Sequence, residues 1–70
     1  MNEQKIEEIV LREIKSLVAS ENLQFVDMRN VFPRCRSQMT QTQFDAAVKS
    51  LESLGTLYSA GEDHVYGTTD

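Results

Sequence analysis

A single cysteine, Cys35, leaves this chain of 70 residues without an internal disulfide. Secreted domains of this size usually carry staples, because a small core stabilises little by itself; the chain therefore reads as intracellular. One histidine, His64, has no ligand-spaced partner beyond the adjoining Glu62 and Asp63. That is too little for a metal site, and neither metal nor cofactor is expected. No apolar run exceeds three residues, as in Ile9–Leu11. A bilayer-spanning helix needs roughly 20 such residues, and the charged start Met1–Lys5 is not followed by a signal-peptide core. Basic residues are scarce as well: seven Lys and Arg face eleven Asp and Glu, a net charge of −4. A general nucleic-acid binder needs a basic face to displace counterions from phosphates. Phosphate loops and dinucleotide fingerprints are absent, and Cys35 with one distant histidine is a poor nucleophile–base pair, so no enzyme is expected. What remains is an ordinary globular composition, 40% hydrophobic and 26% charged.

Charge is spread unevenly. Residues 1–36 hold six basic and six acidic side chains, whereas residues 37–70 hold Lys49 against Asp45, Glu52, Glu62, Asp63 and Asp70. The whole net charge therefore lies in the second half, which bears on the partners that half attracts.

Ile6, Ile9, Val10, Ile14, Leu17 and Val18 recur at spacings of three and four, predicting a helix from Glu3 to about Ser20. Leu23-Gln24-Phe25 alternates like a short edge strand. Val26 to Phe32 reads as a brief helix stopped by Pro33, because the residue before proline avoids the α region. Pro33 to Gln38 then reads as a polar turn with Cys35 as a free thiol, its pKa lowered somewhat by Arg34 and Arg36. A second strong helix carries Phe44, Ala47, Val48, Leu51 and Leu54 as its buried stripe. Its start is ambiguous, since both Thr40-x-x-Gln43 and Thr42-x-x-Asp45 resemble capping boxes. Gly55 suits its C-terminal end. Thr56–Ala60 and His64–Gly67, joined by Gly61-Glu62-Asp63, read as a β-hairpin.

The order α-β-α-α-β-β is the plan of an α+β winged helix-turn-helix: three helices with a small antiparallel sheet, the hairpin being the wing. The expected core is Ile9, Ile14, Leu17, Phe25, Phe32, Phe44, Val48, Leu51 and Leu57. As a DNA reader the chain is unconvincing. Its third helix offers Lys49 against Asp45 and Glu52, and the wing tip is acidic, so Gln41 and Gln43 have no phosphate anchors to hold them in register. Arg29, Arg34 and Arg36 form the one basic cluster; with Lys49 they define the alternative, a domain touching nucleic acid directly. The acidic hairpin, with Tyr58 and Ser59 beside Glu62, Asp63, Thr69 and Asp70, admits two readings. It suits a basic amphipathic helix of a partner, or its acids merely solvate the hairpin and block edge pairing.

Leu23-Gln24-Phe25-x-Asp27-Met28-Arg29-Asn30, Met39-Thr40, Ala47-Val48-x-x-Leu51 and Gly55-Thr56-Leu57-Tyr58-Ser59 occur in that order. An acidic turn, Tyr66 and Thr69-Asp70 follow. This ordered set resembles the C-terminal winged-helix domain of the middle subunit of replication protein A, or of its telomere-complex paralogues. The resemblance runs from about Ile6 to Asp70 and is most specific from Gly55 onward. It implies a nuclear protein-interaction module that binds basic helical segments of DNA replication, repair or telomere-maintenance proteins. Separate OB-fold domains of the parent complex would bind single-stranded DNA, and this domain would be one part of a longer subunit. Tyr58, Ser59, Thr69 and Asp70 would line the peptide groove between the wing and the end of the third helix, while Glu62 and Asp63 would supply a negative field. Two departures stand out. The family often has an acidic residue before the helix-ending glycine, where this chain has Leu54, and Pro33 to Gln38 is a longer, more basic loop.

Overall fold

The computed structural model of the protein describes residues 2–69. The first helical stripe forms as its spacing predicts: α1 spans Glu3–Glu21 and buries Ile6, Ile9, Val10, Ile14 and Leu17. Asn2 caps its N-terminus by accepting from Lys5 N–H at 2.8 Å. Asn22 ends it in the left-handed region at φ 54°, where asparagine is tolerated and where its N–H reaches Val18 C=O. The chain then forms β1 (Val26–Asp27), α2 (Met28–Cys35), α3 (Gln41–Ser53), β2 (Leu57–Ser59) and β3 (Val65–Thr68). The strands form one antiparallel sheet in the order β1-β3-β2. This is a winged helix, with α2 and α3 as the helix-turn-helix pair and β2–β3 as the wing.

The core lies where α1 crosses α3 and the sheet closes the open side. Phe44, Ala47, Val48 and Leu51 of α3 meet the α1 stripe, and Leu57 and Val26 seal it from the sheet. Each large apolar side chain removed from water contributes roughly 1.5–3 kcal/mol, which is what holds a chain this short together. Glu7 accepts from Ser50 Oγ at 3.1 Å, tying α1 to α3. Arg34 Nε donates to Glu13 Oε1 at 3.1 Å, tying α2 to α1.

Thr40 settles the ambiguous start of α3. Its hydroxyl accepts from Gln43 N–H while the Gln43 side chain accepts from Thr40 N–H, a complete capping box. Leu54 is the C-cap and is 70% exposed rather than part of the buried stripe, because the helix ends before it; Gly55 follows at φ +82°, a conformation that costs glycine little.

The segment between the long helices departs from the sequence reading. The strand is Val26–Asp27 rather than Leu23–Phe25, and Phe25 is 39% exposed rather than in the core. Val26 takes the inward position, so the alternation is displaced by one residue and every side chain changes face. Pro33 does not end the second helix, which runs on to Cys35. The ring removes one backbone donor, but its acceptor would have been the carbonyl of exposed Arg29, which water can serve. Phe32 is half-buried, its ring edge-on to Phe44 at 5.2 Å. Continuation of α2 puts Met28, Val31 and Cys35 on one inward stripe. Cys35 is thus a core residue rather than a loop thiol, and burial pushes its pKa up instead of down. The hairpin strands are shorter than predicted, and His64 belongs to the turn at φ 67° rather than to β3.

Candidate partner-binding surface

Directly opposed residues of an antiparallel pair share a face. The register pairs Leu57 with Thr68, Tyr58 with Gly67, Ser59 with Tyr66 and Val26 with Tyr66. Leu57, Ser59, Val26, Tyr66 and Thr68 therefore turn to the helix side, and Tyr58, Gly67, Val65 and Asp27 turn away, so the candidate residues Tyr58 and Ser59 lie on opposite faces of the sheet. The outward face carries an aromatic pair. A methyl group at Gly67 would lie 2.6 Å from Tyr58 Cζ, so the phenol ring lies over the bare glycine of the central strand. Phe25 approaches from the β1 side and meets the Tyr58 ring edge-on, with centroids 6.1 Å apart and planes at 83°. Edge-to-face contact of this kind is favourable because the positive ring edge meets a negative face. Both rings stay near 40% exposed, Phe25 at 39% and Tyr58 at 42%. Together they form an apolar shelf open to solvent.

One carboxylate shares the face, and two more sit at the hairpin tip. Asp27, on the same face, accepts from Arg29 N–H at 2.8 Å, which caps α2, and binds the Arg29 guanidinium at 2.7 Å. These bonds to Arg29 hold its carboxyl at about 2, well below the ordinary range, and raise the guanidinium in turn. Ser59 accepts from Gly61 N–H at 3.3 Å, shaping the wing turn that carries exposed Glu62 and Asp63. The turn is pinned to α2, because Met28 N–H donates to His64 C=O at 2.6 Å.

The candidate site residues do not form one compact groove. Tyr58 and Ser59 lie on β2, and Glu62 and Asp63 at the hairpin tip. Thr69 lies at the opposite, basal end, where its N–H and hydroxyl both donate to Thr56 C=O, at 3.1 and 3.3 Å. Base and tip are about 13 Å apart at some 3.3 Å per residue. Asp70 falls outside the described residues. Phe25 and Gly67 are the members that sequence reasoning missed. A glycine inside a strand pattern marks a close approach and was the available signal.

The arginine cluster disperses. Arg29 and Arg34 are five residues apart on a helix, which turns them about 140° from each other. Arg29 is held by Asp27, and Arg34 by Glu13 with Ser16 Oγ at 3.4 Å. Among the described residues, no group of three or more His, Cys, Asp or Glu is placed to hold a metal ion, and no helix is long and apolar enough to cross a membrane.

Comparison of the chain with protein-family models, with curated proteins and with solved structures finds no match.

Proposed function

We propose that this winged helix is a nuclear, non-catalytic protein-interaction module of a single-stranded-DNA-binding complex of the replication protein A type. It recruits replication, repair or telomere-maintenance factors by binding their basic amphipathic helices. The observation that carries the reading is the exposed Phe25–Tyr58 shelf on the outward face of the sheet, whose hairpin has an acidic tip. An amphipathic helix offers the matching pair of features, an apolar stripe for the rings and Lys or Arg for the carboxylates. Aromatic side chains of this kind are the usual anchors of small interfaces. The ordered sequence motifs and the acidic second half support the same reading. Direct contact with nucleic acid is disfavoured, because Arg29 and Arg34 are each held by a carboxylate.

An amide-resolved NMR titration tests this. A basic amphipathic peptide of about 20 residues spans some 30 Å as a helix, enough to cross the shelf. Saturable shifts at Phe25, Tyr58, Ser59, Gly67 and Thr69 are expected with peptide and not with a single-stranded oligonucleotide. Glu62→Lys combined with Asp70→Lys should weaken the peptide complex while leaving the far-UV spectrum unchanged. Undiminished binding in that double variant removes the acidic contribution. Shifts at Arg29, Arg34, Arg36 and Lys49 with the oligonucleotide replace the proposal by a nucleic-acid contact.

A further inference from the structure

A second surface lies on the other side of the sheet, between α3 and the wing. Two adjoining hollows of about 360 and 440 Å³ share Met28, Phe44, Asp45 and His64. Phe32 lines one, and Val48 and Tyr66 the other, so the floor is apolar along its length. One wall is α3, with Asp45 and Lys49. The other is the wing, with Asp63 and His64. The walls are held apart by the backbone. His64 sits at φ 67°, and its carbonyl is bound by Met28 N–H, so the wing turn is fixed against the start of α2. A groove formed before binding spares the partner complex the entropy of ordering a loop.

The rim is acidic. Asp45 lines one wall, its carboxylate accepting from Gln41 Nε2 at 2.8 Å, and Asp63 lines the other; both residues are exposed. Burial first, and then the charges of Glu52 and Asp63, raise the Tyr66 phenol above its ordinary pKa. Lys49 stands against these acids, and so does Arg29, which lines the adjoining hollow and feels the Asp63 charge but is itself paired with Asp27 outside the groove. Tyr66 and Gly67 are successive residues of one strand and therefore face opposite sides. The groove and the Phe25–Tyr58 shelf are accordingly separate surfaces on opposite faces of the sheet.

We propose that the groove between α3 and the wing is a second docking surface, which takes a protein segment presenting a bulky apolar side chain flanked by Lys or Arg. The apolar residue fills the hollow over Phe44 and Val48, and the cations bridge Asp45 and Asp63. Such a segment differs from one lying on the shelf. A partner engaging both must carry two separated motifs, and their linkage raises avidity without new contacts.

The probe is an amidated peptide with one Leu-Leu-x-x-Leu stripe flanked by lysines, titrated into the intact chain beside its Lys→Glu counterpart. Saturable amide shifts at Asp45, Lys49, Asp63, His64 and Tyr66 are expected with the lysine peptide alone. Asp45→Lys with Asp63→Lys, both exposed and outside the core, should cost about tenfold or more in affinity at those amides, as loss of opposed charges does. Tyr58→Ala should leave the groove shifts in place while removing those of the shelf, so failure of one surface is distinguishable from failure of the other. Groove amides that stay still overturn the proposal. So does equal binding of the glutamate peptide, or affinity unchanged in the Asp45/Asp63 variant. An oligonucleotide that shifts the same amides overturns it in favour of nucleic acid.

Discussion

Leu57 and Tyr58 are neighbours in the same strand and inhabit different solvents. Leu57 is 1% exposed and belongs to the core, whereas Tyr58 is 42% exposed and packs on a glycine and a second ring. A small sheet thus holds two environments a single residue apart: the inward face stabilises the domain, and the outward face leaves an aromatic pair in solvent. The difference explains how so short a chain can expose aromatic area without losing its fold, because none of the exposed area is borrowed from the core.

The sharpest way to break that division is to cut the inward face. Leu57→Ala should destabilise by about 2–5 kcal/mol, the range for truncating a buried leucine. A domain of this length has roughly 4–10 kcal/mol in all, so urea unfolding should begin in dilute denaturant. A loss below about 1 kcal/mol would place Leu57 outside the core. Cys35→Ser is next. It puts a hydroxyl where the thiol is fully buried, at a cost of about 1–3 kcal/mol. In the native protein the same burial predicts that thiol-specific reagents label Cys35 at the rate of unfolding and faster as urea rises. Rapid labelling in native buffer would contradict its position.

Asp27 tests the outward face by pH. Its folded pKa of about 2 lies below the ordinary value of about 3.9 expected when unfolded. A depressed pKa means that the ionised carboxylate stabilises the fold above about pH 4, and that this contribution is lost as pH falls toward 2. Asp27→Asn should therefore be less stable than the native chain at neutral pH by about 1 kcal/mol or less, since the ion pair is solvent-screened. The gap should close by pH 2. A gap that persists at pH 2 would mean that the hydrogen-bonded cap, not the charge, is what matters.

The helical half of the fold was legible because each of its elements repeats. α1 and α3 carry five and four buried residues at spacings that no strand shares, and Thr40 with Gln43 marks a start in plain chemistry. The middle segment was not, for two physical reasons. A strand of two residues has no period to read, so Leu23-Gln24-Phe25 and Val26-Asp27 compete as equals until β3 pairs with the latter. Pro33 is a strong local breaker, yet Met28, Val31 and Cys35 form a buried stripe that outweighs one missing backbone bond. The candidate surface was legible in part. Tyr58 could be placed on the wing from sequence, but Phe25 reaches it only through a three-strand arrangement that the chain order does not reveal.

The smallest effect on stability belongs to the shelf, and it separates the two faces most cleanly. Tyr58→Ala removes an exposed ring and uncovers Gly67, so the change in unfolding free energy should stay near 0.5–1 kcal/mol, the worth of one edge-to-face pair. Gly67→Ala should resemble it. The new methyl group meets Cζ and Oη at 2.6 and 2.7 Å, and the far end of a solvent-facing side chain can swing away. Both variants should lose the Phe25–Tyr58 nuclear Overhauser contacts, and both should weaken the amphipathic peptide more than they weaken the fold. If Gly67→Ala instead unfolds the domain as Leu57→Ala does, the Tyr58 ring is a structural lid on the sheet, and the division between the two faces fails. If it leaves fold and peptide binding alike untouched, the ring is free to move and the shelf is not what the partner recognises.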